Sequence, residues 1–135
     1  MRTLAYVCFA FMLCMDLCTT SLSFGKNVRI MNRLGHGTMA NVHCMSREDD
    51  IGYRLVADGD EFGWSFNVNA IGTTLFYCDV QWDMGTWFHF DAYSASRDAS
   101  RCSSECRWMI QRDGLYVFNQ GKNVWEMTPF QPSKK

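Results

Sequence analysis

Proline is almost missing from this 135-residue chain, and both copies, Pro129 and Pro132, stand near the C-terminus, where they interrupt no earlier strand. Charge of one sign is missing too. Lys and Arg total 13 against 14 Asp and Glu, so the net charge of −1 gives no electrostatic footprint for nucleic acid or an anionic lipid surface. Long helical stripes, repeats and low-complexity segments are also absent. The apolar run LAYVCFAFMLCM behind Arg2 is too short to span a bilayer, and Asp16 closes it; no later stretch could cross one. The charge, the apolar run and the small residues Ser21 and Ser23 predict a secretory signal over residues 1–23, with cleavage between Ser23 and Phe24. Residues 24–135 are then one secreted domain with room for one core.

Removing the signal takes away Cys8, Cys14 and Cys18 and leaves Cys44, Cys78, Cys102 and Cys106. In an oxidising compartment an even number of cysteines favours disulfides over metal ligation. Four allow three connectivities. Cys44 with Cys106 and Cys78 with Cys102 is the pairing we expect, and two such bridges would hold paired sheets rigid.

Several stretches have the period of strands. In EFGWSFNVN, Phe62, Trp64, Phe66 and Val68 alternate with polar residues or glycine, giving one buried face. TTLFYCDVQW puts Phe76, Cys78, Val80 and Trp82 on one side, while Leu75 and Tyr77 suggest that its other side is partly covered. Further β-branched and aromatic runs are separated by turn residues, and Asp113-Gly114 predicts a type I′ hairpin. We therefore expect an all-β fold: a single antiparallel β-sandwich stapled by two disulfides. Its tryptophans and phenylalanines are expected to fill the core.

Chemistry is harder to find. His43 and Cys44 are neighbours in a strand and would point to opposite faces, so they cannot close on one metal ion; with Cys44 inward, His43 should face solvent. No G-x-S-x-G elbow is present. His89 shares a predicted strand face with Trp87, Asp91 and Tyr93, so a hydrolase or glycan-binding module would need a concave site there. The run Arg47, Glu48, Asp49 and Asp50 lacks the ligand spacing of a calcium loop and reads as a solvated tip. We expect no catalytic residues, metal or cofactor.

VHCMSREDDIG, FGWSFNVNAIGTTLFYCDVQW, RCSSECRW and DGLYVF together resemble the plant self-incompatibility S1 family, the S-protein homologues, from Val28 to about Trp125. The resemblance implies a secreted β-sandwich with disulfide cysteines at the positions of Cys44, Cys78, Cys102 and Cys106, and no known enzymatic activity. Its best-understood members are pistil ligands of a pollen-surface receptor that lead to calcium entry and arrest of incompatible pollen. This chain has no N-x-S/T sequon, so the glycosylation of some members is not expected. The implied partner is a cell-surface receptor protein, bound by a monomer without membrane insertion. The segments we expect it to read are Arg47, Glu48, Asp49 and Asp50, and the stretch 94–101 with Arg97, Asp98 and Arg101.

Overall fold

A computed structural model describes residues 25–69 and 72–134. The expected signal over residues 1–23 and its cleavage site lie outside the described residues. Among the described residues ten strands run in order: β1 (Gly25–Asn32), β2 (Ala40–Ser46), β3 (Asp50–Val56), β4 (Glu61–Asn67), β5 (Leu75–Gln81), β6 (Phe88–Ser94), β7 (Glu105–Gln111), β8 (Gly114–Asn119), β9 (Val124–Thr128) and β10 (Gln131–Pro132). One helical turn, α1 (Ala95–Asp98), sits between β6 and β7.

The strands form two five-stranded sheets, β4-β1-β7-β8-β9 and β10-β6-β5-β2-β3. Their apolar faces share one core, in a sandwich-like arrangement. The expectation of a purely antiparallel sandwich is corrected in the first sheet. There β1 pairs with β7 in parallel, Val28 opposite Cys106 and Ile30 opposite Trp108. A hairpin cannot make such a pair, and the connection between them holds β4 and every strand of the second sheet except β10.

Alternation places the core as the sequence suggested. In β4 half-buried Phe62, Trp64 and Phe66 alternate with exposed residues, and in β5 Phe76, Cys78 and Val80 are buried. Aromatic rings join the two sheets: Phe90 lies 4.9 Å from Trp108, and Phe66 lies 4.7 Å from Phe76 and 4.9 Å from Tyr93, between ring centroids. Such offset and tilted pairs add to the burial of the rings themselves.

Irregularities overturn three expectations. Pairing of β5 with β6 slips between Phe76 and Tyr77, because Phe76 faces Tyr93 while Tyr77 faces Asp91. The extra residue, Ala92, reverses the facing of the side chains after it, so Tyr93 is buried rather than beside His89 and Asp91. The β7–β8 hairpin turns at Arg112-Asp113, since Gln111 pairs with Gly114, and neither turn residue has positive φ. It is therefore no type I′ turn. His43, finally, is buried although its strand neighbour Cys44 points into the core, because Tyr53 stacks on its ring at 4.0 Å.

The disulfides correct the expected pairing: Cys44 joins Cys78, and Cys102 joins Cys106. Cys44 and Cys78 stand directly opposite in β2 and β5, with Cα atoms 4.1 Å apart. Cys102 and Cys106 are only four residues apart across the entry to β7. Neither bridge links one sheet to the other, so the aromatic core does what the expected cross-links were to do.

Candidate functional site

Strand directions bring residues 47–49, 68–69 with 72–74, 95–104 and 120–123 to one end of the molecule. Ser46, at the end of β2, faces Phe76 at the start of β5, and Leu75 faces Ser94 at the end of β6. Both segments singled out in the sequence therefore lie at this end.

The first is a tight tip. Ser46 N donates to Asp49 O at 2.7 Å, while the amides of Glu48 and Asp49 donate to Ser46 Oγ at 3.3 and 3.0 Å. Asp50 opens β3, its Oδ1 taking the Gly52 amide at 2.8 Å and lying 2.9 Å from His43 Nε2. Asp50 thus anchors the tip. The side chains of Arg47, Glu48 and Asp49 have no hydrogen bond or ion pair among the described residues.

Opposite the tip runs a groove of about 680 Å³ walled by Ser65, Phe66 and Asn67 of β4 and by Thr73, Thr74 and Tyr77. The sequence reading missed this wall. Its signal was the turn chemistry of Asn69 and Gly72 to Thr74: Asn69 Oδ1 accepts from Thr73 N at 2.8 Å and Asn69 N donates to Thr74 Oγ1 at 2.9 Å.

The second segment is built differently. Asp98 is buried, 1% exposed, and accepts from Arg97 Nε and Nη2 at 2.9 and 2.7 Å and from Ser94 N at 2.8 Å. Arg101 Nη1 stands 3.6 Å away. Arg97 also donates to Asp91 O at 2.7 Å and lies over the Trp108 ring. A buried carboxylate needs such partners, because desolvating it alone would be prohibitive. Arg97, Asp98 and Arg101 are therefore a structural knot, not free charges like those of the tip. Burial, with Asp98 nearby, raises the pKa of Tyr93 above the ordinary tyrosine value. Its contribution to stability is complete below that ordinary value and is lost as pH rises through the raised one.

Asp98 and the sulfurs of Cys102 and Cys106 converge, yet the two sulfurs are bonded to each other and cannot act as thiolate ligands.

A separate cavity of about 380 Å³ opens between β6 and β9, lined by His89, Asp91, Arg101, Trp108 and Glu126 among others. A concave site does therefore face His89 and Asp91. His89 Nδ1 lies 2.9 Å from Asp79 Oδ1, and Nε2 lies 3.6 Å from Asp91 Oδ1. Ser133 Oγ donates to Asp79 at 2.9 Å, so the carboxylate stands between hydroxyl and imidazole. A serine triad needs the imidazole in the middle. Trp108, 2% exposed, donates its Nε1–H to Ala92 O and offers no stacking platform.

Comparison with known proteins fits this geometry. The profile of the plant self-incompatibility protein S1 family matches residues 27–129. Self-incompatibility protein S1 of Papaver rhoeas is 46% identical over 101 residues, covering 74% of this chain and 73% of that protein. S-protein homolog 3 of Arabidopsis thaliana is 36% identical over 108 residues, covering 78% and 71%. A solved structure described as a Self-Incompatibility Protein Homologue, from a family of small, highly stable, secreted plant proteins, superposes with TM-score 0.59 over 84% of this chain and 95% of its own, at 18% identity. The chain belongs to the plant self-incompatibility protein S1 family.

Proposed function

We propose that this protein is a non-enzymatic ligand read by a cell-surface receptor protein through the end that carries residues 47–49, with calcium signalling and arrest of incompatible pollen as the response. The observation that carries this reading is the tip itself. Three charged side chains without a partner among the described residues project from a backbone fixed by Ser46 and Asp50, beside a groove large enough for several side chains of a partner. A tip already ordered loses little conformational entropy on binding, and its charges set partner choice more than affinity. Family membership supports the same reading, since the relative from Papaver rhoeas is a self-incompatibility protein.

Arg97, Asp98 and Arg101 support the recognition end from within and are not part of the surface that is read. The test is charge reversal at Asp49 in refolded, disulfide-intact protein applied to pollen. Asp49→Lys is expected to keep the thermal midpoint and abolish the calcium response; a full response from the folded variant would overturn the reading.

A further inference from the structure

Every open sheet leaves edge strands with unpaired backbone groups, and proteins usually blunt them. The edges here are protected unequally. β10 is two residues long and contains Pro132. β3 carries a bulge, Gly52 at φ 91° and the charged Arg54, and packs beside the fourth edge, β4. β9, the sequence Val124-Trp125-Glu126-Met127-Thr128, has no Pro, Gly, Lys or Arg and no bulge in its pairing with β8. Three of its five side chains are large apolar groups left exposed: Val124 at 47%, Trp125 at 37% and Met127 at 57%.

We propose that β9 pairs antiparallel with β9 of a second copy, about a two-fold axis through Glu126, joining two five-stranded sheets into one of ten. The strand is self-complementary about that residue. Antiparallel pairing on this axis sets Trp125 opposite Met127 of the second copy, and Val124 opposite Thr128. Trp125 and Met127 share the outer face of the sheet, so each crossing makes a sulfur–aromatic contact. Register extends the match inward: Phe118 is the cross-strand neighbour of Trp125, and Tyr116 that of Met127. The apolar row of one copy thus runs into that of the other. Arg107 already holds Trp125, its guanidinium 5.4 Å from the ring centroid.

Two Glu126 carboxylates meet at the axis, which would oppose pairing if they were bare. Each has its own cover, Arg101 Nε at 3.6 Å and Asn119 Nδ2 donating at 3.1 Å. An isologous contact of this kind closes at two copies. With a five-residue edge the interface lies at the small end of specific contacts, so the dimer should be half-dissociated at roughly 10–100 μM. This departs from the monomer expected from the sequence and does not depend on the receptor reading.

Sedimentation equilibrium of the refolded, disulfide-intact chain tests it. Mass should rise from one to two chains with concentration. Met127→Glu, at an exposed site that leaves the fold intact, should weaken association at least ~10-fold by setting a charge against Trp125 of the other copy. Glu126→Cys should give a covalent dimer on mild oxidation, because residues directly opposite have Cβ atoms about 5 Å apart. A chain that stays monomeric up to ~1 mM, far above the dissociation expected here, overturns the proposal. So does a dimer that Met127→Glu leaves unchanged.

Discussion

The two ends of the molecule are both made of polar connections, yet they use their polar groups in opposite ways. At the end away from the tip, side chains bond inward. Asn32, fully buried, donates to Thr38 O and Val56 O and accepts from Leu34 N, all within 2.9 Å. Asp58 accepts from the amides of Gly35 and Gly37, the flanks of a turn in which Gly35, His36 and Gly37 all have positive φ. Arg112 donates to Leu34 O and Thr38 Oγ1 and meets Asp83 at 3.2 Å. At the tip end a buried carboxylate and a short disulfide hold the backbone, and Arg47, Glu48 and Asp49 are left facing out. A charge in a loop thus says little about binding until its internal partners are known; Arg97 and Arg112 look like Arg47 in the sequence and do the opposite job.

That contrast can be broken in a graded way. Asp98→Ala should do the most damage, because it strands Arg97 and Arg101 around a buried void; a loss of roughly 3–5 kcal/mol is expected, read by chemical denaturation. Asn32→Ala, at the other end, leaves two carbonyls and an amide unpaired and should cost about 2–3 kcal/mol in the same measurement. Removing Cys102 and Cys106 together, as Ala, should cost about 2 kcal/mol, the loop-closure figure for so short a ring, against about 4 kcal/mol for the wider Cys44–Cys78 ring. Asp49→Lys should move stability by less than ~0.5 kcal/mol. If Asp49→Lys destabilised as much as Asn32→Ala, the two ends would not differ as described.

Much of the fold was legible because burial on one face of a strand imposes a period of two. Phe62, Trp64 and Phe66, and Phe76, Cys78 and Val80, are such positions, and the structure buries them wholly or in part. Tyr93 escaped that logic because one bulged residue reverses the facing of every later side chain without changing composition. Cysteine pairing escaped it as well. The opposition of Cys44 and Cys78 follows from which strands lie side by side, a relation between residues 34 apart that no local pattern encodes. Of the candidate site, the tip was legible as a run of charge, whereas the burial of Asp98 and the groove wall across from the tip were not.

By itself the sequence determined the all-β class, the aromatic core and the family, since each rests on residue type and short-range spacing. Only the tertiary structure decided the parallel β1–β7 pair, the disulfide partners, which arginines are used internally, and that β9 ends a sheet. These depend on strand order, and strand order is fixed by contacts between distant segments whose combined burial outweighs any local preference.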